Sequence, residues 1–275
     1  MTDKHIGFFD LVEACREPGC PICRLLERDA RSDLDALIYE RVNDLETRRA
    51  LRASWGLCNW HTWLLPEISS SASGAAIVYA DVLRVCIDRV RRRDRGRSRI
   101  AAFLGRLGVG RAWARYRSGV VALYDARPTC PVCARCSGAE GGYLDILLSF
   151  MADPQLAAAY EQSNGLCLPH LLRAIDGGAE REALGELCRQ TLAKWETLRQ
   201  DLEGFVAKYD YRNREAFTEA ERTSYTRAFE AVAGRARLFG NDLHTARAVR
   251  ARYHHDRGAV LPDGGGEQQR GPTAR

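Results

Sequence analysis

Apolar residues along this chain recur at steps of three and four, the spacing of one face of an α-helix. Ile22, Leu26, Ala30, Leu34, Leu37, Ile38 and Val42 form one such series, and Val132, Tyr143, Leu144, Leu147 and Met151 a looser one. Polar breaks at Asn43-Asp44 and Asp153-Pro154 separate each series from a second helix, expected to end near Ser54 or Ser163. Short helices are expected at Thr62 to Leu65 and Leu171 to Ile175. Longer ones are marked by Ile77, Val78, Val82, Leu83, Val85, Cys86 and Val90, and by Leu187, Leu192, Trp195, Leu198, Leu202, Phe205 and Val206. Phe217, Tyr225, Phe229 and Val232 supply the apolar stripe of one or two further helices between residues 211 and 256. Strand alternation is almost absent, so the fold class is all-α. From Arg257 onward the chain has little to bury, and residues 257–275 are expected to be a disordered tail.

Superimposed on this pattern is a repeat of cysteine and histidine. Cys20, Cys23, Cys58 and His61 recur as Cys130, Cys133, Cys167 and His170, with 34 and 33 residues between the C-x-x-C and C-x-x-H pairs. The first pairs stand in C-P-I-C and C-P-V-C, the second in G-L-C-N-W-H and G-L-C-L-P-H. Proline suits the first position of a helix, which places Cys23 and Cys133 in first turns whose free N–H groups favour thiolate. The glycine two residues before each later cysteine suits a turn with positive φ. Thiolates and imidazole are the ligands zinc takes in closed structural sites, so two zinc ions are expected, one per repeat, each tying the open end of a helical hairpin. The run Cys130, Cys133, Cys136 raises an iron–sulfur cluster as the alternative, although Leu26 stands where Cys136 would recur. Cys15 and Cys136 leave the ligand count open. Cys86 and Cys188 fall on apolar stripes and are expected in the core. His5, His244, His254 and His255 are expected at the surface, and Trp55, Trp60 and Trp63 as packing that keeps water from the metal.

Composition narrows the class of protein. At 275 residues and 45% hydrophobic content the chain can bury a substantial core. It offers no run of roughly 20 apolar residues for a membrane span and no secretory leader, so the expected location is the cytoplasm. The net charge of +5 is uneven: Arg84 to Arg117 holds 12 arginines against Asp88 and Asp94. That region could meet an acidic protein or nucleic-acid phosphates, or be a solvated linker, since the chain has 38 arginines and three lysines overall.

The duplicated C-P-x-C and G-L-C-x-x-H elements, with Lys208-Tyr209-Asp210-Tyr211-Arg212, resemble a prokaryotic family catalogued as domain of unknown function 6062, over roughly residues 5 to 235. The resemblance implies no activity. The expected organisation is a first Cys3His unit with an Arg-rich connector (1–105), a second unit (106–210), a helical extension (211–256) and the tail. Four protein ligands leave a metal no open position, and G-x-S-x-G, H-E-x-x-H and nucleotide-binding glycine patterns are missing, so the balance is against an enzyme. The expected function is a zinc-binding module that contacts protein or nucleic acid. The alternatives are a thiol/zinc redox switch or an enzyme with an iron–sulfur cluster.

Overall fold

The local signals act where the sequence places them. In a computed structural model, which describes residues 4–105, 124, 126–177, 181–209, 212–236 and 238, there are ten α-helices and no strand among the described residues. They are α1 (Ile6–Ala14), α2 (Pro21–Tyr39), α3 (Leu45–Ala53), α4 (Asn59–Leu64), α5 (Ala72–Gly105), α6 (Pro131–Ser149), α7 (Pro154–Gln162), α8 (Leu168–Asp176), α9 (Arg181–Lys208) and α10 (Glu219–Ala233). Pro21 and Pro131 open α2 and α6 with Cys20 and Cys130 at the N-caps. Asp44 caps α3 by accepting from Thr47 N at 2.7 Å, and Asp153 caps α7 by accepting from Gln155 N at 3.0 Å. Thr218 and Glu221 form a reciprocal capping box at the start of α10. The short helices begin earlier than expected, at Asn59 and Leu168, because Cys58 and Cys167 are themselves N-caps.

The two 19-residue helices α2 and α6 pack antiparallel. Arg135, near the start of α6, reaches Asp33 late in α2 at 2.8 Å, while Tyr143 further along α6 donates to Asp29 at 2.7 Å. Each end of this pair seeds its own core. Phe8, Leu11, Ile22, Leu25 and Leu26 pack with Leu144, Leu147, Leu156, Tyr160, Leu171 and Leu187. At the other end Leu34, Leu37 and Ile38 pack with Leu51, Leu64, Val78, Val82 and Val132. The lead helix of each repeat therefore starts in one core and finishes in the other. Gly74 allows α5 to lie against the end of α2, where a Cβ would stand 2.1 Å from Ile38 Cγ2 and 2.7 Å from its carbonyl oxygen.

Two readings of the sequence change. The apolar stripe of α10 faces outward, with Tyr225, Phe229 and Val232 exposed, while Glu221 and Ser224 are buried. The reason is polar: Glu221 pairs with Lys208 of α9 at 2.9 Å and its capping role draws that face inward. Trp63 is exposed and does not shield a metal group; Trp55 instead sits under Arg89, whose guanidinium carbon is 5.0 Å from the ring centroid. Cys86 and Cys188 are partly buried against the two cores. The expected tail, most of 237–256 including His244, His254 and His255, and the connector from 106 to 123 lie outside the described residues.

Candidate metal centres

All eight repeat residues come together in two groups, but the partners are exchanged. Cys20 and Cys23 meet Cys167 and His170, while Cys130 and Cys133 meet Cys58 and His61. The expectation that each repeat closes on its own ligands is overturned. Helix length gives the reason. At 1.5 Å per residue, α2 and α6 are each about 28 Å long, whereas the returning helices α3 and α7, nine residues each, cover about 14 Å. The C-x-x-H element consequently stops beside the middle of its own lead helix: His61 borders a groove with Ala30 and Arg31, and His170 lies against Glu140. Antiparallel packing brings the start of the other lead helix to that level.

All four half-sites share one local design. The first ligand (Cys20, Cys58, Cys130, Cys167) is an N-cap in extended or near-extended conformation, and the second (Cys23, His61, Cys133, His170) is the third residue of the helix. Each group thus lies between two helix starts, whose unpaired N–H groups offset negative charge on sulfur. Gly56 and Gly165 take φ of 96° and 76° to turn the chain into the later cysteines. Gly19, at φ 97°, donates its N–H to Asn164 Oδ1 at 2.8 Å, a further tie between the repeats.

Within each group the donor atoms all lie within 4.8 Å of one another. In the first, Cys23 Sγ is 3.6 Å from Cys167 Sγ, and His170 Nδ1 is 3.2 to 3.4 Å from the three sulfurs. In the second, Cys58 Sγ is 3.6 Å from Cys133 Sγ, and His61 Nδ1 is 3.2 to 3.6 Å from the three sulfurs. Both imidazoles present Nδ1. One thiol in each group ionises at the expense of another. Burial opposes ionisation of Cys20, yet hydrogen bonds with Cys167, Cys23 and His170 outweigh it and hold that thiol well below its ordinary range. Hydrogen bonds with Cys167 and Cys20, then burial, push the Cys23 thiol up, as those with Cys130 and Cys58 do for Cys133. Cys130 is held low by hydrogen bonds with Cys133 and Cys58, assisted by His61 against burial. Burial disfavours the imidazolium of His170 and His61, but the surrounding sulfurs raise both to about 11. Each group can therefore hold a metal ion in place of the protons it carries.

The groups differ in their surroundings. The one formed by Cys20, Cys23, Cys167 and His170 is fully buried, and His170 Nε2 stands 3.3 Å from Glu140 Oε1. In the other, Cys58 and Cys133 are half-buried, and Cys136 is a further thiol near enough to help keep the His61 imidazole charged. Neither Cys15 nor Cys136 belongs to a group. Burial, first, and then Cys20 push the Cys15 thiol up to about 12. Sequence reasoning missed Glu140, because its repeat counterpart is Ala30. The signal was available in helical spacing, since Cys133, Cys136 and Glu140 follow one another at steps of three and four on one side of α6.

An uncharacterised 23.9 kDa protein from the xynA 3' region of Caldicellulosiruptor sp. (strain Rt8B.4) is 26% identical over 231 residues, covering 82% of this chain and 99% of that protein. No solved structure matches the chain. Residues 4–238 match the family of unknown function DUF6062, and the chain belongs to that family.

Proposed function

We propose that this protein is a zinc-stapled helical interaction module, in which two structural ions lock the repeats to each other. The observation that carries this is the exchange of ligands between repeats. Tetrahedral zinc, with Zn–S of about 2.3 Å and Zn–N of about 2.05 Å, sets S···S near about 3.8 Å and S···N near about 3.6 Å. The spacings of 3.6 Å and 3.2 to 3.6 Å match one ion per group. Donors this close favour a single ion over an iron–sulfur cluster, which spreads its ligands around several atoms. Three thiolates and an imidazole give the ion a formal charge of −1 and no open position, which suits scaffolding better than hydrolysis. A reducing cytoplasm suits such thiolates, and no described helix is long and apolar enough to cross a membrane. Elemental analysis of the purified protein should give two zinc atoms per chain, and chelation should lower its melting temperature. A colourless protein without zinc, or a brown iron-containing one, overturns this reading.

The half-buried thiols of Cys58 and Cys133, with Cys136 alongside, favour a second role for that group as a thiol/zinc redox switch. Hydrogen peroxide would take two electrons from two of these thiolates and two protons from solvent, giving one disulfide and two waters and leaving the ion without two of its donors. Zinc release under mild peroxide tests this; release absent until the fold is denatured counts against it.

A further inference from the structure

The internal repeat supplies its own control for one surface. Val78 and Val82 of α5 correspond to Leu187 and Thr191 of α9, and all four are buried. On an outer face of α5 stand Ala76, Ala80, Leu83, Ile87 and Val90, spaced four, three, four and three apart. Their counterparts on α9 are Gly185, Arg189, Leu192, Glu196 and Arg199, and every one of the ten is exposed. The same place in the same architecture is thus apolar in one half and, apart from Gly185 and Leu192, charged in the other. The fold does not need the apolar version. Leu83, Ile87 and Val90 remain 58%, 45% and 40% exposed. Their spacing is the 3.5-residue repeat of a helix that receives another helix along a seam.

Charge selects the occupant. Arg84 and Arg91 are exposed beside the seam, Arg84 with one nitrogen on Asp81 at 2.5 Å, and the sequence from residue 76 to 99 holds eight arginines against three aspartates. A second copy of this chain packed antiparallel would set arginine flank against arginine flank, and packed parallel would leave those arginines against Tyr79 and Cys86 with no carboxylate to meet. A nucleic acid would take the arginines but leave Leu83, Ile87 and Val90 in water. We infer that the outer face of α5 is the docking seam for an acidic amphipathic helix of another protein, with apolar residues on Leu83, Ile87 and Val90 and carboxylates on Arg84 and Arg91. This rests on the interaction-module reading and names its partner.

The probe is a synthetic four-heptad peptide with leucine and isoleucine on the seam and glutamate on its flanks, titrated against the full chain. A matched peptide with lysine flanks is the control. The acidic peptide should bind, more weakly as salt rises, and the lysine peptide should not. Leu83→Glu with Ile87→Glu should weaken binding at least about tenfold. Arg91→Glu should weaken it by charge alone, and Leu192→Glu on the other half should change nothing. Equal affinity of the parent and the Leu83/Ile87 variant overturns the inference. So does a parent that sediments as a dimer and becomes monomeric on that change, or a duplex oligonucleotide that binds indifferently to it while the acidic peptide does not. Two zinc atoms in every variant would show that such a failure concerns the seam and leaves the zinc scaffold standing.

Discussion

The two candidate metal groups each join one C-x-x-C half-site to one C-x-x-H half-site, yet their settings differ. Around Cys20, Cys23, Cys167 and His170 the protein is closed, and Glu140 braces the imidazole from behind. Around Cys58, His61, Cys130 and Cys133 two sulfurs reach half-buried positions, Ala30 stands where Glu140 would, and Cys136 lies against the histidine. The ligands set what kind of ion can be held. The neighbours set how firmly it stays, since a carboxylate behind a histidine orients the ring and raises its basicity as a ligand. On the proposed reading, the closed group would serve as scaffold and the open one would carry the reactivity.

The largest expected effect comes from breaking either group. Cys23→Ser or Cys133→Ser should each cost one zinc and on the order of 5 kcal/mol of stability. That is less than the about 10–16 kcal/mol apparent binding energy of zinc-finger peptides, because much of the helical core survives. Pairing is read by double variants. His61→Ala with Cys133→Ser should lose one ion in elemental analysis, and His61→Ala with Cys23→Ser both; the reverse result would restore closure within each repeat.

Smaller effects come from giving one half the residue of the other. Position 183 is Ala where the first half has Gly74, so Gly74→Ala tests the tighter contact of α5 on Ile38; thermal unfolding should report a loss of about 1–3 kcal/mol. Glu140→Ala should weaken the closed group for zinc by about 10–100-fold in chelator competition, bringing it toward the open one. Cys136→Leu should slow zinc release from the open group under peroxide without changing the ions bound at rest. If release is unchanged, the nearby thiol has no part in it.

The smallest effect is a matter of pH. Hydrogen bonding from Arg52, against burial and with help from Arg84 and Arg48, lowers the Asp81 carboxyl to about 2. A lowered carboxylate stabilises the fold above its ordinary value, near about 3.9, and that contribution fades as pH falls toward 2. Asp81→Gln, the residue at position 190 in the other half, should flatten stability in that acid window and leave neutral pH with only the loss of the ion pairs. An unchanged acid-unfolding curve would remove Asp81 from the account.

Much of this was legible in the residues themselves. Apolar spacing in Ile22 to Val42 and the turn at Asn43-Asp44 marked α2 and its break, and Pro21 and Pro131 marked helix starts, because these signals act over one or two turns of chain. The inward turn of Glu221 was not legible, because it depends on Lys208 in another helix. Nor was the exposure of Tyr225, Phe229 and Val232, since an apolar stripe on α10 states only that a face could be buried.

The sequence by itself determined the ligand types, their doubling and the helix-start geometry that offers two donors at a time. It could not determine which pairs meet. C-x-x-C and C-x-x-H each supply half a tetrahedron, and chemically either half accepts the other from any part of the chain. Only the tertiary structure decided, because a nine-residue return helix reaches halfway along a 19-residue one, and the antiparallel lead helix brings the other repeat's cysteines to that level.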